Sequence, residues 1–431
     1  MAASARDATG APEDTLRGPS AAVPVIAVLL ALLGMFGPFS IDTPFPAFAQ
    51  MRADLDVSGA AMQQVVSAYL VAFAVMSLFH GPISDAVGRK PVIVTGALVY
   101  TAASVGCALA PDLVTLLVFR VVQGASAGAG TIVSRTVVRD LFDGARAQRL
   151  MSVIAMIFGI GPALAPVLGG WLLLLGTWHL IFWFLTGFGA LIAVATLALL
   201  PESHPTERRT PLRVGAVLGR VVTAARDRDF QVLTAASAFS FAAQFLYIAA
   251  APLIVVELLG RGEQDFWVLF VPMVVAMVSG SFTGARLAGR VPGPRLIATG
   301  QTVALIGAVA GVVLAALPAT SAQLPWAMVG LTAVAYGTGI SLPVYQLTLV
   351  DAFPRARGTA ASVSTFAQLM LNTVLAGLVA PIATTSMLAL SLTSLGLLVV
   401  GITLWRLYRH RTADLRACTG SKHVQALEAT T

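Results

Sequence analysis

Twelve predominantly apolar runs of about 20 residues or more, the length that crosses a hydrocarbon core of about 30 Å as a helix, take up most of this 431-residue chain. They fall at about 23–47, 58–80, 91–110, 112–134, 149–175, 178–200, 229–258, 265–285, 295–317, 323–349, 359–380 and 383–407. Backbone amides in lipid have no water to bond to, so each run must satisfy its own N–H and C=O groups by coiling. The expected fold is an all-α membrane protein of twelve transmembrane helices in two pseudo-symmetric six-helix bundles. Composition excludes a soluble domain: charged residues make up 11% and mean hydropathy is +0.85, where soluble chains are about a quarter charged.

Basic residues resist translocation, so their distribution sets orientation. With both termini cytoplasmic, 24 of the 27 Lys and Arg residues lie inside, Arg52 and Arg261 lie outside, and Arg120 lies within a span. The basic isoelectric point is therefore a topology signal, and no nucleic-acid partner is expected. Residues 1–22 read as a disordered tail before a retained first helix rather than a signal peptide. Cys107 and Cys418 lie at unrelated depths and form no bridge.

Six spans end near Leu200, and 201–228 is the long polar interior segment. The division is thus a tail (1–22), a first bundle (23–200), a cytoplasmic linker (201–228), a second bundle (229–408) and a cytoplasmic tail (409–431). Asp140, Phe142, Ala145 and Arg146 recur 211 positions later as Asp351, Phe353, Ala356 and Arg357, and Gly289-Arg290 echoes Gly88-Arg89. Such halves place a site between them at mid-membrane and reach it by rocking.

An ionisable group inside a span costs at least about 2.5 kcal/mol and is functional by default. Asp42 stands among Pro38, Pro44 and Pro46, which loosen a helix and suit a backbone bent at a cavity. The alternative is that the first span ends at Ile41 and Asp42 is a solvated cap. Arg120 lies about 12 Å below the start of its span, with Gln123 and Gly124 one turn on. Its charge is permanent, so it either tunes a nearby acid or snorkels to the surface. The pair suggests a cycle in which Asp42 takes a proton when desolvated and releases it when Arg120 or water favours the charged carboxylate. Gly161, Pro162, Pro166, Gly169 and Gly170 describe a kinkable, closely packing fifth span. Tyr69, Gln244, Tyr247, Tyr345, Gln346, Gln368 and Asn372 are candidate cavity residues for amphiphilic ligands, each equally suited to joining helices. Between spans two and three, Gly81, Asp85, Gly88, Arg89 and Lys90 form a charged turn, with both glycines expected to let two helices approach.

The spacing G-x-x-x-D-x-x-G-R-K at 81–90 resembles motif A of the major facilitator superfamily, Arg120 to Gly130 resembles motif B, and Gly159 to Gly170 resembles the antiporter motif C. Arg149 to Trp171, Trp178 to Trp183 and Glu202 to Arg209 resemble the Bcr/CflA drug:proton antiporters. The resemblance implies a monomeric exporter of small amphiphilic drugs, driven by protons across the cell inner membrane. It implies that Asp42 is the first-helix acid, although Thr43-Pro44-Phe45-Pro46 replaces the usual aromatic-Leu-Pro run. It also implies that Asp85 closes the inner gate against the start of span eleven. A transporter dedicated to one neutral metabolite is the rival within the fold. An enzyme is disfavoured: His80, His179, His204, His410 and His423 are scattered, and neither a His-Glu-x-x-His helix nor a Walker-type loop occurs. No metal and no cofactor is expected.

Overall fold

The computed structural model describes residues 22–428 except 143, 289 and 353–356; within that range the side chains of 22–24, 139, 144–149, 151–159, 208, 220, 350–352, 357–359 and 413–428 are not described. Most of the N-terminal tail, the Asp351–Arg357 half of the internal repeat and Gly289 therefore lie outside the described residues.

The first span, α1, is broken. It runs Val25–Asp54 as helices Ala22–Gly34, Phe36–Asp42 and Phe48–Asp54 with a 3₁₀ turn at Phe45–Ala47. Pro44 and Pro46 have no N–H to return to the carbonyls four residues back, so regular α-helix stops immediately after Asp42. The Ser40 hydroxyl donates back to the Phe36 carbonyl (2.6 Å).

Five more helices complete the first half: α2 (Gly59–Val87), α3 (Arg89–Ala108), α4 (Leu113–Leu141), α5 (Gly144–Leu175) and α6 (His179–Leu199). Ser58 and Asp112 cap α2 and α4 by accepting from Ala61 N (3.2 Å) and Thr115 N (2.8 Å). The second half contains α7 (Arg228–Ala249), α8 (Trp267–Leu287), α9 (Gly293–Ala316), α10 (Trp326–Ala352), α11 (Arg357–Val374) and α12 (Met387–Glu428). A π-helical turn extends α11 over Leu375–Val379. Eleven helices are long and apolar enough to span a membrane among the described residues; α5 is the twelfth, 32 residues long, with Ile160–Leu175 as its described apolar part. Pro162 and Pro166 lie inside α5 without ending it.

Two expectations change. The 81–90 segment is not a turn throughout: α2 stays helical through Val87, and the chain reverses at Gly88, whose φ of +110° and ψ of 157° suit glycine alone. The 201–228 segment is not polar throughout, because Val214–Arg226 forms a helix that carries Val214, Leu218, Val221 and Val222.

The halves repeat one packing scheme. In the first, α4 packs on α2 and α3; in the second, α10 packs on α8 and α9. Gly128 of α4 lies against α2 and Gly339 of α10 against α8, 211 positions apart. The two bundles meet through α2 with α11 and α5 with α8, pairs that exchange roles when the helix number is advanced by six.

At the end opposite the linker the halves are tied. Arg52 pairs with Glu257 (3.1 Å), Gln64 Nε2 donates to the Gly377 carbonyl (3.2 Å), and Ser67 donates to the Thr373 carbonyl (3.4 Å). Phe45 and Phe270 stack across the interface at 6.4 Å, and a Cβ on Gly170 would lie 2.9 Å from the Glu263 carbonyl. Partial burial in this seam pushes the Glu263 carboxyl above the usual glutamate range. A carboxyl raised on folding adds stability below its unfolded value and loses it as pH rises through the folded one. Thermal scans in detergent are therefore expected to show wild type gaining stability, relative to Glu263→Gln, as pH falls through the raised Glu263 value down to the ordinary glutamate range. Parallel pH profiles of the two proteins would refute this.

Candidate transport site

Asp42 ends the Phe36–Asp42 helix and is 3% exposed, so it is not a solvated cap. The pocket that holds it is made by glycines on two neighbouring helices. A Cβ on Gly130 of α4 would lie 2.6 Å from the Phe36 ring, and one on Gly161 of α5 would lie 2.6 Å from Pro38 Cβ. A Cβ on Gly169 would collide with the Thr43 carbonyl oxygen and sit 3.3 Å from Pro46 Cδ. The glycines of the α5 motif thus admit the irregular backbone of α1, turn by turn, on both sides of the acid. The Asp42 Oδ1 atom has no hydrogen-bond partner.

Arg120 is fully buried, which excludes snorkelling. Its Nε donates to the Val65 carbonyl (3.0 Å), Nη1 donates to Gln123 Oε1 (2.5 Å), and the guanidinium carbon lies 4.6 Å from the centre of the Tyr69 ring. Gln123 donates onward to Ser104 Oγ (2.7 Å) on α3, and Nη2 is unpartnered. The close α2–α4 approach behind this fork comes from Gly124, where a Cβ would strike the Tyr69 carbonyl.

Asp42 and Arg120 make no ion pair or hydrogen bond with each other. Tyr69 lies within electrostatic range of both and donates to the Phe36 carbonyl at the start of the Asp42 helix (3.4 Å). Beside it, Ser40 and Tyr100 join hydroxyl to hydroxyl at 2.6 Å. The sequence placed both charges within spans but gave no rotation about their helices. It also missed Ser40, Tyr100 and Ser104; the signal for the last two is a polar residue recurring at a spacing of four on α3.

The seven candidate cavity residues do not form one group. Tyr69 belongs to the Arg120 cluster. Tyr345 is fully buried, accepts from Gln301 Nε2 (2.8 Å) and meets Trp405 edge-on at 5.3 Å, so it joins helices of the second half. The Tyr247 hydroxyl lies beside Ser391 and Ser394 of α12 and likewise sits between helices. Gln346 is exposed and Gln368 half-buried. Gln244 and Asn372 are buried with Oε1 and Oδ1 unpartnered, as is Gln63 Oε1, which sequence reasoning passed over. A separate groove of about 720 Å³ runs between α2, α4 and α11, lined by Gln64, Ser67, Val71, Val75 and Thr373 among others.

At the linker end, Arg89 is the hub. Its Nη1 donates to Ser84 Oγ (2.6 Å) and Asp85 Oδ1 (2.5 Å), and its Nε to Asp140 Oδ2 of α4 (3.0 Å). Glu202 of the linker accepts from Arg89 N (2.9 Å) and Lys90 N (3.2 Å), placing a carboxylate at the positive end of α3. Lys90 Nζ donates to the Leu197 carbonyl at the end of α6 (2.8 Å). Gly88 is required, since a Cβ there would lie 2.7 Å from Glu202 Oε2, but Gly81 has nothing within 4 Å and brings no helix closer. The expected contact of Asp85 with the start of α11 involves side chains outside the described residues.

Two helical bundles meeting along symmetry-related pairs, with a carboxyl and a guanidinium buried within their spans, define a secondary transporter of the membrane-spanning class. The Major Facilitator Superfamily profile matches residues 30–381. The chain belongs to that superfamily. It is 32% identical over 283 residues to the uncharacterized MFS-type transporter YdgK of Bacillus subtilis, covering 65% of this chain and 70% of that one. It is 28% identical to the bicyclomycin resistance protein homolog of Haemophilus influenzae (62% and 67% covered) and to multidrug resistance protein D of Escherichia coli (87% and 94%). Among solved structures, the human organic anion transporter MFSD10 aligns with a TM-score of 0.65 at 20% identity, covering 90% of this chain and 100% of that one. A D-xylose-proton symporter aligns at 0.69 and 15% identity, covering 90% and 97%; both show the shared fold.

Proposed function

We propose that this protein is a proton-coupled antiporter that exports small amphiphilic drugs or antibiotics across the cytoplasmic membrane by alternating access. The carrying observation is the buried Asp42 carboxyl with an unpartnered oxygen, clasped at the break of α1 by the α5 glycines. The relatives named for bicyclomycin and multidrug resistance support a drug as cargo. The excess of basic residues at the linker end supports an orientation with both termini in the cytoplasm, and the proposed working unit is a monomer.

Protonation at Asp42 and cargo occupancy compete. Gln63, Gln244 and Asn372, with free polar atoms on α2, α7 and α11, offer hydrogen bonds from both halves to an amphiphile. Arg120 acts as a fixed charge through Tyr69 rather than by pairing with the acid. Rocking about the α2–α11 and α5–α8 seams exposes the site to each side in turn, with Arg52–Glu257 and Gln64–Gly377 closing the outer side.

The test is flux of a panel of unrelated fluorescent drugs in inside-out vesicles under an imposed pH step. Uptake of several compounds that a protonophore abolishes is expected. Protonophore-insensitive flux would overturn the coupling, and movement of a single neutral metabolite alone would overturn the drug assignment.

A further inference from the structure

The linker helix Val214–Arg226 has an apolar arc wider than the surface it packs against. Val221 and Ala224 join a cluster with Phe230, Leu233 and Trp405 at the linker end of the second bundle. One step around the helix, Val214 (49% exposed), Leu218 (45%) and Val222 (45%) form a stripe at a spacing of four, continued by Leu212 (42%) before the helix. Single exposed apolar side chains are ordinary, but three in register on one helix, with a fourth just ahead of it, are not. Arg213 and Arg226 flank the helix and are exposed.

The depth of this stripe is fixed by its neighbours. Trp405 and Tyr408 of α12 stack at 5.7 Å within the same cluster, and Arg406, Arg409 and Arg411 occur over the same turns. Tyr408 is half-buried and Arg406 and Arg409 are exposed, and an aromatic ring with basic residues beside it at the end of a span marks the headgroup level. A helix seated on that layer, apolar on one side and cationic at its ends, fits the boundary between acyl chains and anionic headgroups. Asp229 does not cancel this charge, since it is paired with Arg411 (2.8 Å), and the Asp227 carboxylate that caps α7 is balanced by the exposed Arg228 beside it.

We infer that the linker helix is an interfacial membrane anchor that lays Val214, Leu218 and Val222 into the bilayer surface and uses Arg213 and Arg226 to select anionic lipid. This surface is separate from the transport site, and the inference holds whatever the cargo is.

The test uses the full chain carrying Cys107→Ala and Cys418→Ser, with a bimane label on Leu218→Cys or on Thr223→Cys. The proteins are placed in vesicles of phosphatidylcholine alone or mixed with phosphatidylglycerol. The label at 218 is expected to be quenched by acyl-chain nitroxide and shielded from aqueous iodide, and the label at 223 to behave the opposite way. Phosphatidylglycerol should raise the docked population at 218. Neutralising Arg213 and Arg226 to Gln should lower the ratio of docked to undocked label by about fivefold per arginine at low salt. The inference is overturned if iodide reaches 218 as readily as 223 in both lipids. It is equally overturned if shielding at 218 vanishes on deletion of residues 1–21, or appears only at high protein density, outcomes that assign the stripe to the N-terminal tail or to a second copy.

Discussion

Asp42→Asn is expected to reduce pH-driven drug flux in inside-out vesicles to the level of empty vesicles, while the protein inserts, folds and melts no lower than wild type. Asparagine keeps the shape and depth of the side chain but has no proton to exchange. Removing an ionisable group whose insertion costs at least about 2.5 kcal/mol relieves rather than burdens the fold. Because the carboxyl is 3% exposed with Oδ1 unpartnered, the substitution breaks no ion pair, and loss of flux reports on proton exchange. Drug exchange without a gradient should persist in the variant. Full dependence on the pH step in Asp42→Asn would assign proton coupling to another group.

Gly169→Ala is expected to be as damaging to transport by a different physical route. Its methyl would meet the Thr43 carbonyl oxygen, a backbone atom that can move only if α1 or α5 shifts. Overpacking of this kind costs about 1–3 kcal/mol, enough to lower the melting temperature in detergent by several degrees. The shift displaces the break that holds Asp42, so flux should fall to background even in molecules that stay folded. Gly187→Ala on α6, where nothing lies within 4 Å, is the matched control and should leave both properties unchanged. Normal flux in Gly169→Ala would show that the α5 glycines merely pack.

Hydropathy and proline placement made most of the architecture legible, because span length and backbone satisfaction in lipid leave few choices. Asp42 and Arg120 stood out for the same reason: a charge in oil is rare enough to be noticed singly. Rotation about each helix was not legible. Tyr345 and Gln346 are adjacent in sequence, yet one is fully buried and the other exposed, since neighbours on a helix point about 100° apart. That Asp42 and Arg120 make no direct contact was hidden for the same reason, because the arginine turns towards Val65 and Gln123 of the α2–α4 seam. The linker helix was hidden by composition: arginines and a proline around 208–213 masked an apolar repeat that begins only at Val214.

The Thr210 amide is bonded to the Asp85 carbonyl at 3.1 Å, whereas from Val214 onwards the chain is a helix resting mainly on the second bundle. Slack between the two anchorages is confined to Pro211, Leu212 and Arg213. At about 3.3–3.6 Å of reach per residue, so short a leash lets those anchorages part by little more than a drug molecule's length. For as long as the Thr210–Asp85 bond holds, the length of this short tether limits the width of the inward mouth.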